Sequence, residues 1–223
     1  MDQLKAITDA LIELDEDETL RLVQEALALE EPSLSLVHAC DQAMRVIGER
    51  YQRQEYYLSG LILAGEIFSE VLAMVQPRLE HELVGEASGR VLLGTVAGDI
   101  HDIGKNLMAT MLRSFGFTVY DIGVDMPAGA FVEAALEWRP DIVGLSGLIT
   151  ASFASMKLTT GLLKAEPKLA PPPFVILGGG IVDEAVRDYA GADFWSTNAM
   201  EGVRICQRLV ADTRDPAGDE TEV

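Results

Sequence analysis

The stretch RVLLGTVAGDIHDIGKN, from Arg90 to Asn106, opens as a continuous apolar run, breaks into a polar loop and continues with helical spacing. A run that is apolar at successive positions suits a strand buried on both faces, as in a parallel sheet covered by helices. The same grammar recurs downstream. Val91–Ala97, Thr118–Ile122, Asp141–Leu145, Phe174–Leu177 and Asp193–Ser196 are short, mostly apolar, bounded by Gly or Pro, and separated by helical patterns. Five such units predict an α/β fold with a flavodoxin-like (Rossmann-type), doubly wound, five-stranded parallel sheet. In such sheets ligands gather outside the carboxyl ends of the strands.

Upstream, to about residue 85, the apolar period is helical: Leu4, Ile7, Leu11 and Leu14, then Leu22, Val23, Ala26 and Leu27. Pro32 and Ser33 supply a break and a candidate N-cap before a third stripe of Val37, Cys40, Met44, Ile47 and Tyr51. Ser59 precedes a fourth, formed by Ile62, Ile67, Val71, Leu72, Val75 and Leu79. Four one-sided helices are most simply buried against one another, so residues 1–85 are expected to form a four-helix bundle. The small, polar segment Gly85–Arg90 reads as a linker, residues 90–212 as the sheet domain, and residues 213–223 as a disordered acidic tail.

Composition limits the partners. The 223 residues are 48% hydrophobic and carry 36 acidic against 17 basic side chains, a formal charge of −19 with a pI near 4.4. Nucleic-acid binding calls for a basic patch, so no nucleic-acid partner is expected. No uncharged apolar run approaches the roughly 18 residues of a membrane helix; the nearest, Leu58–Phe68, is interrupted by Glu66. Met1–Leu14 lacks the layout of a signal peptide. Cys40 and Cys206 stand far apart with no C-x-x-C spacing, which supports neither a disulfide framework nor a thiolate zinc site. No membrane partner and a cytoplasmic location are the expectations.

The loop after the first strand, Gly98 to Asn106, superficially resembles a phosphate loop. It has five residues between its glycines, two of them acidic, and Asn106 follows Lys105 where a hydroxyl residue is required. The dinucleotide fingerprint fails as well, because Gly178-Gly179-Gly180 continues to Asp183 where its third glycine should stand. What remains is His101, with Asp99 two positions before it and Asp102 directly after. Alone, this loop admits three readings. His101 can cap a helix beginning near Ile103; Asp99 can hold one ring nitrogen while the other faces a ligand; or Asp99, His101 and Asp102 can join ligands from elsewhere around a divalent metal. The third strand ends in Ser146-Gly147-Leu148-Ile149-Thr150-Ala151-Ser152, which brings hydroxyls to the same sheet edge, with Ser152 also suited to an N-cap. The fourth ends in three glycines, where either a ligand or another backbone must approach closely.

Together these residues resemble the cobalamin-binding corrinoid proteins of methyltransferase systems and the matching module of cobalamin-dependent methionine synthase. Asp99-x-His101-x-x-Gly104 is similar to that family's D-x-H-x-x-G signature, Ser146-x-Leu148 to its S-x-L, and Gly178-Gly179 to its G-G, in the same order. The helical half resembles its cap domain, including Gly48-Glu49-x-Tyr51 and Tyr57-Leu58, so the resemblance runs from about Leu4 to Leu209. Ser59 stands where methionine synthase has proline, and Gly180 extends the usual glycine pair.

The resemblance implies a base-off cobalamin, or related corrinoid, whose nucleotide tail threads beside Gly178, Gly179 and Gly180 while His101 becomes the lower axial ligand of cobalt. It implies that Asp99 orients His101, Ser152 extends the relay, Ser146 and Thr150 hold the tail, and Gly98, Asp99, Ile100, His101 and Asp102 line the lower face, with Ile103, Gly104 and Leu148 also among the cofactor-binding residues. Asn198 and Ala199 fall where the family also touches the nucleotide. Tyr57, Leu58, Leu61 and Ile62 are the candidates for covering the upper face, with bundle core as their alternative. The implied activity is that of a carrier, methylcobalamin being its loaded state, with cobalt alternating between Co(I) and methyl-Co(III). The implied partners are a substrate-specific methyltransferase, a second, tetrahydrofolate- or thiol-dependent methyltransferase, and a reductive activator. A cobalamin-sensing regulator and the small subunit of an adenosylcobalamin mutase are the competing readings; the acidic helical half suits DNA poorly, and mutase subunits lack such a cap.

Overall fold

The computed structural model describes residues 3–82 and 89–214. They fall into two compact units, one on each side of residues 83–84. The first is helical: α1 (Gln3–Ile12), α2 (Glu16–Ala28), α3 (Ser33–Gln52) and α4 (Leu58–Glu82). α1 packs on α2 and α3, and α4 on the same two. The stripes legible in the sequence meet between them, with Ile7, Leu11, Val23, Val37, Ile47 and Val71 fully buried or nearly so. At the start of α2 the Asp15 carboxylate accepts from the Glu18 amide at 3.1 Å, and Glu16, Asp17 and Glu18 place negative charge at the positive end of the helix. The cap of α3 lies one residue earlier than the sequence suggests. Pro32 (φ −59) leads into the helix, and Ser33 is its buried first residue.

Among the described residues, Leu58–Leu79 of α4 is the one segment long and apolar enough to cross a membrane by length and composition. It nevertheless contains Glu66 and Glu70, both exposed, while Ala64, Ile67, Phe68 and Val71 are buried within the helical unit.

The second unit alternates strand and helix: β1 (Arg90–Thr95), α5 (Ile103–Ser114), β2 (Thr118–Asp121), α6 (Ala128–Trp138), β3 (Ile142–Ser146), α7 (Ser152–Ala165), β4 (Phe174–Gly178), α8 (Glu184–Ala190), β5 (Phe194–Ser196) and α9 (Ala199–Arg214). All strand pairs are parallel and the order is β2-β1-β3-β4-β5. This is the expected α/β fold. The winding direction reverses between β1 and β3, which opens a crevice at their carboxyl ends. Register levels three strand ends there, because Thr95 pairs with Ser146 and Ser146 with Gly178. The loops after β1, β3 and β4 therefore leave the sheet side by side.

α9 continues to Arg214, so Thr213 and Arg214 are helical and not part of a disordered tail; Val203, Cys206 and Val210 bury one face of the helix and carry it that far. The rest of the expected tail, residues 215–223, and residues 85–88 of the expected linker lie outside the described residues.

The sheet core is close-packed. Leu92, Val143, Leu145, Val175 and Leu177 are buried around Phe131 of α6. A Cβ on Gly94 would stand 2.7 Å from the Phe131 ring and 2.8 Å from Ile122, so the ring rests directly on the β1 backbone. Phe131→Ala removes that ring from a fully enclosed site and is expected to destabilise the chain by about 3–5 kcal/mol; urea unfolding of the two proteins measures it.

Candidate functional site

The β1–α5 loop folds back on itself at the crevice. Gly98 takes φ 86, the left-handed region that a side chain disfavours, and no atom lies within 4 Å of where its Cβ would be. The turn brings Asp99 beneath the loop, where only 1% of its surface is exposed. Its Oδ1 accepts from the His101 amide at 3.0 Å and lies 2.6 Å from His101 Nδ1. Its Oδ2 accepts from the amides of Leu148 and Ile149, at 2.6 and 3.2 Å, across the crevice in the β3–α7 loop. Burial pushes the Asp99 carboxyl up, but the Leu148 amide, the His101 amide and the His101 ring together outweigh it, and its pKa falls below the ordinary aspartate value. An ionised Asp99 holds the proton on Nδ1, which leaves the lone pair of His101 on Nε2. The His101 side chain is 52% exposed, and its carbonyl accepts from the buried Thr95 hydroxyl at 2.9 Å.

This geometry decides among the three readings of the loop. The cap position of α5 is Asp102, without a side-chain cap bond, so His101 is not a cap. Asp102 instead accepts from the Asn106 amide group at 3.1 Å, and among the described residues no group of three potential ligands could hold a metal. The paired histidine remains.

The other sequence-derived residues divide. Ile100, Leu148 and Ile149 are exposed apolar side chains on the two loops that meet at His101. Thr150 and Asp102 are exposed beside them, Ser146 is half-buried at the strand end, and Ile103 and Gly104 form the first turn of α5. Ser152 departs from its expected role. Its buried hydroxyl donates to the Ile149 carbonyl at 2.6 Å and makes no bond to Asp99, whose Oδ2 accepts from the backbone amides of Leu148 and Ile149. Nor is it the helix cap, which is Ala151.

The three glycines also differ from one another. Gly179 has φ 136, and a Cβ there would collide with the Gly147 carbonyl oxygen, so its missing side chain serves a backbone-to-backbone contact. Gly178 has nothing within 4 Å of its Cβ position, and Gly180 meets only Leu148 at 3.4 Å. Asn198 caps α9, its Oδ1 accepting from the Glu201 amide at 3.1 Å, and Ala199 is the first residue of that helix.

In the helical unit, Tyr57, Leu58 and Ile62 are exposed and Leu61 half-buried, so the first three are not bundle core. Sequence reading missed Thr95 and Lys105. Thr95 is the one hydroxyl within an apolar strand just before the loop, which was a usable signal. Lys105 is buried, 2.5 Å from Asp121 and 2.7 Å from the Asn106 side chain, and ties the start of α5 to the end of β2.

The site is thus a half-exposed imidazole backed by a buried carboxylate, rimmed by exposed apolar side chains and by glycines with open space at their Cβ positions. Residues 89–204 match a family model described as a B12 binding domain, and residues 3–76 match a second of the same description. The chain belongs to the B12-binding family. Its cofactor is cobalamin or a related corrinoid. It is 34% identical over 208 residues to a dimethylamine corrinoid protein of Methanosarcina barkeri, spanning 93% of this chain and 97% of that one. Among solved structures, it is similar to the M. barkeri monomethylamine corrinoid protein (29% identity, TM-score 0.83, 91% of this chain and 96% of that one). A cobalamin-binding protein from Desulfitobacterium hafniense is 40% identical, with TM-score 0.53 and coverage of 94% and 99%.

The clamp on Asp99 is testable without cofactor. Asp99→Asn keeps one oxygen for two sets of donors, and a lost buried hydrogen bond costs about 1–3 kcal/mol at pH 7. The native carboxyl pKa is depressed, so the wild-type advantage is fully present above the unfolded value of about 4 and is lost as pH falls through the native value. Urea midpoints of both proteins are therefore expected to differ at pH 7 and to converge in acid.

Proposed function

We propose that this chain is a corrinoid carrier that binds cobalamin base-off with His101 as the lower axial ligand, and that it shuttles a methyl group between a substrate-specific methyltransferase and a second methyltransferase, with a reductive activator returning oxidised cobalt to service. The observation that carries this reading is the Asp99–His101 pair, 2.6 Å apart at the crevice between β1 and β3. When bound, the corrinoid supplies a cobalt able to accept a methyl group and to hand it on, between the Co(I) and Co(III) levels.

The chain's own residues would act as follows. Asp99 fixes the ring and its tautomer, so that Nε2 points its lone pair at the axial position. Held in this way, His101 would offer the Nε2 lone pair to the cobalt. Ile100, Leu148 and Ile149 exclude water from the lower face. Gly178 and Gly180, with space beyond them, would border the tail, while Gly179 keeps the β3 and β4 loops in contact. Residues 1–85 would serve as the cap, with Tyr57, Leu58, Leu61 and Ile62 toward the upper face, and residues 90–212 as the cobalamin-binding domain. The names of the relatives make dimethylamine and monomethylamine the first methyl donors to try with a partner enzyme.

The test is the absorption spectrum of the full chain after incubation with methylcobalamin and desalting, with the Co(II) spin-resonance spectrum of the reduced sample. A base-off corrinoid showing nitrogen coupling that disappears in His101→Ala supports the reading. No retained corrinoid, or nitrogen coupling that survives the substitution, overturns it. A second variant addresses the tail. Gly178→Leu projects into open space without a backbone penalty and is expected to fold with an unchanged unfolding midpoint yet retain at least about tenfold less cobalamin, the scale of a misfit side chain in a filled site. Equal retention would mean that the tail runs elsewhere.

A further inference from the structure

The β2–α6 connection contains a residue held in an unusual conformation against the histidine loop. Asp125 has φ 53, in the left-handed region that Asp and Asn tolerate better than other side chains. Its Oδ1 accepts from the Gly98 amide at 2.7 Å, and its own amide donates to the Asp99 carbonyl at 3.0 Å. The next residue, Met126, pairs with Val96 in a parallel bridge and donates to the Thr95 carbonyl at 2.9 Å. Asp125 thus sits where the chain runs alongside the end of β1, with a reciprocal pair of hydrogen bonds to the two residues that turn the loop. Gly98 has no neighbour within 4 Å of its Cβ position, so no side chain packs against it there, and its amide is held by the bond to Asp125.

We infer that Asp125 is a positioning residue for the axial histidine: it clamps the Gly98-Asp99 backbone from the β2 side, while Leu148 and Ile149 hold the Asp99 carboxylate from the β3 side. Gripped at both ends, Asp99 cannot follow the ring, so His101 alone moves as it binds and releases. The inference rests on the proposed role of His101 as lower ligand.

Two variants separate the acceptor from the conformation. Asp125→Gly accepts φ 53 and keeps the amide bond to Asp99 but removes the acceptor for Gly98; Asp125→Asn keeps an oxygen acceptor and tolerates the same φ. In the cofactor-free full chain, amide exchange at Gly98 is expected to rise roughly fivefold in Asp125→Gly, the change that goes with one hydrogen bond, and to stay near wild type in Asp125→Asn. In the cobalamin-loaded chain, the ratio of histidine-free to histidine-ligated Co(II), read from nitrogen coupling in the spin-resonance spectrum, should rise by a similar factor in the glycine variant and be restored in the asparagine variant. A lowered unfolding temperature with an unchanged ligation ratio would make Asp125 merely structural and overturn the inference, as would an asparagine variant that behaves like the glycine one. If the wild-type chain shows no nitrogen coupling dependent on His101, the axial role itself falls and takes this inference with it, while Gly98 exchange still reports whether the clamp exists.

Discussion

Burying the Asp99 carboxylate is the constraint on which the crevice depends. An ionised carboxylate taken out of water costs several kcal/mol unless its oxygens are fully hydrogen-bonded. Here four N–H groups meet it: the His101 amide and Nδ1 on one oxygen, the Leu148 and Ile149 amides on the other. Two donors belong to its own loop and two to the loop across the switch point, so the charge is stable only when both loops are in place. The level ends of β1 and β3 make that meeting possible, because Thr95 and Ser146 are paired partners and the loops start from the same height. The direction of the imidazole follows from the same bonds.

The partner of Ser152 changes what that residue can do. A hydroxyl that donates to the Ile149 carbonyl and does not touch Asp99 cannot pass a proton to it. It sets the turn that presents the Leu148 and Ile149 amides, and so acts on Asp99 through the geometry of a peptide. The Gly147–Gly179 contact supports the same turn from the other side, with Gly147 donating to the Gly178 carbonyl at 3.0 Å. The β3 loop is thus fastened by its neighbours' backbones before any side chain reaches the ligand edge.

The fold was legible because burial writes itself into period. The change from stripes at 3.6-residue spacing to continuous runs near residue 90 is a change from helices with one wet face to strands with none. Asp99 and His101 were legible as candidates from spacing, since in an extended loop residues two apart face the same way, but spacing alone left three readings open and the family resemblance chose among them. The partner of Ser152 was not legible, because the hydroxyl donates to a backbone carbonyl in its own turn, and the motif does not show which acceptor that turn presents. Gly179 carried two equally good sequence explanations, and only the position of the Gly147 carbonyl separates them. Asp125 was hidden for another reason. An acid in a turn ordinarily satisfies its own backbone, and nothing local shows that its acceptor is spent on a loop 27 residues earlier.

The composition of α4 follows from two separate demands on one helix. A bundle helix needs one apolar stripe, which Ala64, Ile67, Phe68, Val71 and Val75 provide. Its first two turns carry a second set, Leu58 and Ile62, on a face that the bundle leaves exposed, at 58% and 55%. Two apolar faces make Leu58–Leu79 long and apolar enough to pass as a membrane span by length and composition. Glu66 and Glu70 argue against lipid, since each would be costly in hydrocarbon. Leu58 and Ile62 are thus apolar side chains left in water on an otherwise acidic chain. Ile100, Leu148 and Ile149 are the corresponding exception in the sheet unit.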